Sequence, residues 1–330
     1  VQDDILKLAL EVGEITESKI GSIDAVMRQA RFLAINAHIE AARAGVHGAG
    51  FGVLADEMGG IAGTITGISA ELRTALAGNS QRLQTVGADL MLAHKGERNM
   101  DLALNVIEIL DRNLYERTCD VRWWATDSAL VAAVTQQDAR GFACERMAMI
   151  LRSYTVYLDL VVVDTAGKYV ACGRLDKYPK TLNTEATKAS WFKPALQTGS
   201  SDEFVSGRVR RSPSLNDQPA ATFAAAIREA GRPIGVLAVA FDWAPQTASI
   251  VKSALSQLGA QGGRVLILDA DHKVLAASDD AGIFTETFAL QATDKRGYYV
   301  ENGRLIAYAL TPGYETYAGQ GWYGVVVVDL

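Results

Sequence analysis

The chain has 330 residues, a hydrophobic share of 49% and a formal net charge of -6 at pH 7. That length supports two or three domains with cores of their own, and the acidic balance leaves no broad basic surface for nucleic acid or an anionic membrane. Cys119, Cys144 and Cys172 are far apart with no CxxC, so a disulfide framework and a thiolate metal site are both disfavoured and the thiols read as reduced.

The first element in chain order is a helical arm. Ile5, Leu8, Val12 and Ile15 open it, and Ile20, Ile23, Met27, Ala30, Ala34, Ala37, Ala41 and Ala44 recur at steps of three and four, the spacing of a coiled-coil seam. After Gly45, Gly48 and Gly50 a return arm places Phe51, Leu54, Met58, Ile61, Ile65, Ile68, Leu72 and Ala75 in a heptad, continued by Leu76, Leu83, Val86 and Leu90. The expectation is an antiparallel helical hairpin over residues 1–95 whose seams face each other. Glycines inside the arms, among them Gly13, Gly21, Gly59 and Gly63, cost about 1 kcal/mol each against alanine. Such arms call for a partner, and two hairpins would close a homodimeric four-helix bundle.

The segment IDAVMRQARFLAINAHIEAARAGVHGAGFGVLADEMGGIA, residues 23–62, resembles the signalling tip of the methyl-accepting chemotaxis receptors. Position by position, the resemblance implies receptor and kinase contacts at Phe32, Leu33, Ile35, Glu40, Arg43 and Val53, and hence a chemotaxis histidine kinase and its coupling protein as partners. The sequence departs from the family pattern at Arg28, Ala30, Arg31 and Ala49. Charge at Arg28 and Arg31 works against an apolar receptor contact, so coupling to a kinase array stays open. No paired Glu or Gln methylation site is seen in these short arms.

A separate long helix is expected from residue 99 to about 126, and a shorter one from about 140 to 154. Trp123 and Trp124 are adjacent, so on a helix they point about 100° apart and only one can face the core. From residue 156 the runs turn β-rich: YLDLVVVD, KYVACG, EFVSGRV, PAATFAAAI, PIGVLAVAF, RVLILDA, KVLAAS, GYYVEN, RLIAYAL and GWYGVVVVD. Among them VVVDTAGKYVAC repeats as LILDADHKVLAA, with Asp164 over Asp269 and Lys168 over Lys273. Each copy reads as a β-hairpin with an Asp turn, and each is followed later by a Gly-Val strand ending in Asp. Two α/β modules of one plan in tandem follow.

The segments VVVDTAGKYV, SWFKPALQTG, RPIGVLAVAFDW and PGYETYAGQGWYGVVVV resemble the double Cache sensor domains, which are PAS-like. The fold expected is α+β: an N-terminal antiparallel coiled-coil hairpin, then a long helix and two tandem PAS/Cache-like modules with antiparallel sheets. The boundaries read 1–95 for the hairpin, 96–155 for the helical linker and long helix, 156–258 for the first module and 259–330 for the second. The resemblance implies a small-molecule pocket in the first module. Trp191 and Phe192, on the helix after the first hairpin, and Ser206, Arg208, Thr222 and Asp242, on the central strands, are its candidate ligand-binding residues. Arg210 and Arg211 in the loop VRRSPSLNDQ read either as solvated charge or as a cationic lid over a carboxylate or phosphate, so an anionic ligand is one candidate. An arginine that the amino-acid-binding branch carries two residues before its Trp is Ala189 here, which argues against amino-acid recognition.

The motifs GxSxG, GxxxxGK[ST] and HExxH are missing, so no enzyme is expected. Neither is a metal or a cofactor. Asp269 and Asp271 begin like a calcium loop, but Val274 stands at its sixth position, and a hairpin turn is the better reading. The chain opens at Val1 within a helical pattern, which reads as a trimmed start. With no apolar run near the ~18 residues of a spanning helix, the expectation is no membrane partner and a soluble, cytoplasmic sensor that relays small-molecule binding to a dimeric hairpin. The alternative is a structural assembly protein whose modules bind nothing.

Overall fold

The computed structural model describes residues 2–259 and 262–330. The chain divides into two compact units, Val1–Lys95 and Gly96–Leu330. In the first, α1 (Gln2–Arg43) turns back through a 3-10 segment (Gly45–Gly48) into α2 (Ala49–Trp124). The arms run antiparallel: Arg73 reaches Glu17 at 2.8 Å and Asp24 at 2.7 Å, and His38 lies 3.4 Å from Asp56. Gly48 sits against the Ala41 backbone so closely that a Cβ would fall on that carbonyl, which is why the bend needs glycine there.

On α1 the buried residues belong to the expected seam, but on α2 they do not belong to the heptad of the return arm. Ile20, Ala34 and Ala41 are buried on α1 and Ala55, Ala62 and Ser69 on α2, whereas Phe51, Leu54, Met58, Ile61, Ile68 and Leu72 are exposed. Small side chains at steps of seven let the two backbones approach, and the larger apolar stripe lies on the neighbouring face. Periodicity shows that a stripe exists, not which stripe packs on the returning arm. A second correction concerns α2. The expected break before residue 99 is absent because the intervening MLAHKGER holds no proline and a single glycine, Gly96, so nothing halts the helix. No helix of the described residues is long and apolar enough to cross a membrane.

In the second unit α3 (Ser128–Thr135) and α4 (Arg140–Ser153) precede a six-stranded antiparallel sheet. Its strands are β1 (Tyr157–Asp164), β2 (Tyr169–Cys172), β3 (Val205–Ser206), β4 (Arg210–Ser212), β5 (Gln218–Glu229) and β6 (Arg232–Asp242). The order is β2-β1-β6-β5-β3, with β4 also pairing β5. α5 (Phe192–Leu196) covers the sheet, and α6 (Trp243–Gln257) leads to β7 (Arg264–Leu268), β8 (Val274–Ala277), β9 (Arg296–Glu301), β10 (Arg304–Leu310) and β11 (Tyr323–Asp329). These pair as β8-β7-β11-β10-β9, the same plan repeated. The two hairpin turns match in detail: Asp164 Oδ1 accepts the N–H groups of Ala166 and Lys168, and Asp269 Oδ1 those of Asp271 and Lys273. Asp269 and Asp271 are therefore a turn, as the spacing suggested.

Each sheet turns one face to helices. Gly235 of β6 abuts Val134 of α3, and at Gly324 of β11 the α2 backbone comes so close that a Cβ would meet the Ala103 carbonyl. Trp124 is 7% exposed and Trp123 69%, one indole in the core and one outside. On its other face the second sheet is filled by Leu266, Tyr308, Val325, Leu290 and Phe288, with Tyr299 against them. Tyr298 and Tyr314 pack instead against α2, at Gly96 and Tyr115.

Candidate functional site

The corresponding face of the first sheet is only partly filled. Trp191 and Phe192, edge to face at 6.2 Å, pack on Val163, Ala224, Val236 and Ala238. Beyond them small residues of the central strands, Ala220, Ala238 and Ala240, with Val161 and Thr222, leave a cavity of about 480 Å³. Its walls are completed by Trp191 and Tyr169, by Thr181, Thr184, Glu185, Lys188 and Ala189 of the β2–α5 connection, and by Arg210, Arg211, Ser212, Pro213, Ser214 and Leu215. Strands lined by alanine and threonine create this volume, since larger side chains there would close it.

Asp159 is the charged group at the sheet. A regular strand would put Tyr157 and Asp159 on one face. Here β1 bulges between them: Tyr157 pairs with Phe241 but Asp159 with Ala240. Tyr157 therefore faces α2, where Arg117 lies over its ring and Asp120 accepts its hydroxyl, while Asp159 turns to the cavity. Oδ1 of Asp159 accepts the backbone N–H groups of Leu160 at 2.8 Å and of Gly173 and Arg174 at 3.0 Å. Burial pushes this carboxyl up to about 7, with the three N–H groups and the Arg174 guanidinium opposing it. Burial also raises the Tyr169 phenol, and the charge of Arg210 partly offsets that.

Of the residues expected from sequence, Trp191, Thr222 and Arg210 line the cavity, and Phe192 backs Trp191. Ser206 pairs with Phe223 on the edge strand and Arg208 points away, its side chain 90% exposed and 3.9 Å from Asp271 of the second module. Asp242 stands at the N-cap position of α6, outside the cavity lining and without a side-chain capping bond; burial raises its carboxyl, and Lys177 and Arg174 hold it down. The loop with Arg210 and Arg211 does wall the cavity, beginning as the short strand β4. Sequence reasoning missed Asp159, Tyr169, Thr181 and Glu185. An aspartate inside an otherwise apolar strand, YLDLVVVD, was the available signal for the first. At the other end of the chain Phe32, Leu33, Ile35 and Val53 are exposed, and Glu40 and Arg43 pair at 2.9 Å.

Comparison with known proteins supplies the context. Residues 2–108 match the methyl-accepting chemotaxis protein (MCP) signalling domain. The ligand-binding domain of the Pseudomonas aeruginosa amino acid chemoreceptor PctC, solved with GABA, superposes with a TM-score of 0.53 at 16% identity over 69% of this chain and 96% of that one. The sensory domain of the Campylobacter jejuni chemoreceptor Tlp3 gives 0.53 at 14% identity over 73% and 94%. The sensor domain of the V. cholerae histidine kinase DctB gives 0.52 at 11% identity over 73% and 97%. These likenesses establish the fold. They overturn the expected cytoplasmic location, because the matching structures are periplasmic or extracellular sensor domains of membrane receptors. That expectation rested on the resembled receptor tip being cytoplasmic and on finding no spanning segment after it within this stretch, and such an absence does not say where a chain resides. The signalling and sensor classes matched are non-catalytic. The chain thus joins a stretch similar to the chemotaxis-receptor signalling domain to a region with the fold of chemoreceptor ligand-binding and sensor-kinase sensor domains.

Proposed function

We propose that the chain is a small-molecule sensor whose ligand occupies the cavity of the first module. The observation that carries this reading is the contrast between the two sheets. Built on one plan, the second has its open face filled by tyrosine, leucine and phenylalanine, while the first keeps about 480 Å³ edged by an indole, hydroxyls and both signs of charge. Such a mix of apolar wall and few polar groups suits a small ligand. Arg210 and Arg211 sit in a loop that can close on it, and α2, one helix from Ala49 to Trp124, carries the resulting change toward the hairpin. A cavity-filling substitution tests this. Thr222→Phe abolishes the thermal stabilisation that a screened panel of metabolites gives the wild type, because only ligand bound to the native state raises its stability, and leaves the fold intact by circular dichroism. Stabilisation that survives in Thr222→Phe places the ligand elsewhere.

The hairpin reads as a homodimer contact, with a chemotaxis kinase and coupling protein at Phe32, Leu33, Ile35, Glu40, Arg43 and Val53 as the further partners. Support comes from the stripe Leu54, Met58, Ile61, Ile68 and Leu72, which the hairpin leaves exposed and which a second copy would cover. The chain sediments as a dimer at tens of micromolar, and Ile61→Glu shifts it toward monomer. A wild-type monomer under those conditions refutes the contact.

A further inference from the structure

We propose that residues 208–211 form a clasp between the two modules, so that an anionic group in the first-module cavity and the second module compete for the same arginines. This rests on that cavity being the ligand site. Two arginines border both places. Arg210 lines the cavity and also a cleft against the second hairpin, with Asp269, Asp271 and Lys273. Arg211 lines the cavity and also a cleft of about 490 Å³ between the first turn of α6 and residues 282–285 of the second module.

In this structure the clasp leans on the second module. The Arg211 guanidinium lies over the Phe284 ring at 5.9 Å, and Arg208 is 3.9 Å from Asp271. Both arginines are exposed, and an open cation–ring contact or ion pair shifts an equilibrium by a factor of about two to five. Arg210 and Arg211 are neighbours on β4, opposite Ala220 and Pro219 of β5, and so leave the strand on opposite sides. Ala220 lines the cavity and Pro219 the outer cleft. Rooted beside Pro219, the Arg211 guanidinium meets an acid inside the cavity only by crossing the strand edge, and that crossing gives up the ring.

The parts involved are lightly held on one side and strained on both. β4 has three residues, and Asn216 and Asp217 soon after it take consecutive left-handed conformations at φ 55° and 56°. Across the cleft Phe284 stands at φ 61°, an outlier for so bulky a residue. Its N–H donates to the Val274 carbonyl at 2.8 Å, and Arg264 secures the flanking residues by pairing with Asp279 at 2.9 Å and Glu286 at 2.8 Å. Backbone strain kept in place by such supports collects at clamps and switch segments. Here it presents the ring that Arg211 covers.

Competition has a sign that a simple lid lacks. Removing the second-module contacts leaves the cavity lining untouched yet frees the arginines, so the population able to close on an anion rises and apparent affinity rises with it. A lid that needed those contacts as an anchor would bind more weakly instead.

Asp271→Asn with Phe284→Leu removes both contacts. The hairpin keeps its bonds, because Asp269 and not the Asp271 side chain accepts the N–H groups of the turn. The full chain, the double variant, Asp271→Asn alone and Arg211→Ala are digested briefly with trypsin, scoring cleavage after Arg208, Arg210 and Arg211, and are titrated by calorimetry with acetate, succinate and γ-aminobutyrate. Cleavage at these arginines is about threefold or more faster in the double variant, while its circular dichroism and other cleavage sites match wild type. Asp271→Asn alone moves the same way by a smaller factor. At least one carboxylate binds the wild type, the double variant binds it about threefold or more tightly, and Arg211→Ala binds it more weakly. Equal or weaker affinity in the double variant, or unchanged cleavage, overturns the clasp while leaving the cavity as a ligand site. No binding by any of the three overturns it too, and the cavity reading is then judged by the wider panel with Thr222→Phe.

Discussion

Trp243→Ala lowers the melting temperature of the second unit by about 6–20 °C, the shift that a loss of about 3–5 kcal/mol gives a domain of this size. Trp243 opens α6, where it is 1% exposed. Its indole N–H donates to the Leu275 carbonyl at 2.8 Å, and its ring meets Trp322 edge to face at 5.3 Å. One side chain thus ties the helix that follows the first sheet to β8 and to the approach to β11. Truncation removes the transfer energy of the ring, opens a cavity that the surrounding strands cannot close, and leaves a backbone carbonyl unpaired. Trp243→Phe separates these contributions: it keeps most of the ring and loses the hydrogen bond, so its cost falls near 1–2 kcal/mol. A melting temperature that moves by less than about 2 °C in Trp243→Ala contradicts the picture of a shared anchor.

The second large effect is one of pH. Folding buries the Asp159 carboxyl and raises it from 3.8 to about 7, so the folded protein holds this proton more tightly than the unfolded chain does. Stability from this residue is fully present below about pH 4 and is lost as pH rises through 7, because above it a buried charge must be maintained. The full span is on the order of 4 kcal/mol. Asp159→Asn cannot ionise and keeps the Oδ1 acceptor. Denaturation of wild type and variant from pH 4 to 8 shows their stability difference widening in favour of the variant as pH rises. Burial also raises Asp111 and Asp120, but these are common to both proteins and cancel in the difference. A difference constant across the range means that Asp159 is ionised throughout.

Much of the fold is legible in the amino-acid sequence. The Asp turns at Asp164 and Asp269, the two Gly-Val strands and the divided roles of Trp123 and Trp124 follow from local chemistry: turn residues mark hairpins, short runs of apolar β-branched residues mark buried strands, and adjacent helical positions diverge. The loop with Arg210 and Arg211 stood out for its charge, and it does wall the cavity. Three things were decided only in three dimensions. The seam of the first arm was visible in its heptads, yet on the return arm Ala55, Ala62 and Ser69 pack inward in place of the larger apolar stripe, because choosing between neighbouring stripes depends on how near two backbones can come. Arg208 and Arg210 are two apart and were equally eligible, but pairing of β4 with β5 brings one to the cavity while the other extends toward Asp271. Asp159 reads from sequence as sharing a face with Tyr157, and a single bulge reverses it. Sequence by itself determined which segments become helices, strands and turns, since those choices rest on contacts within a few residues. Which side chains meet in the cavity was left to strand register, because one residue of slip exchanges the faces of a sheet and only packing between distant segments selects the register.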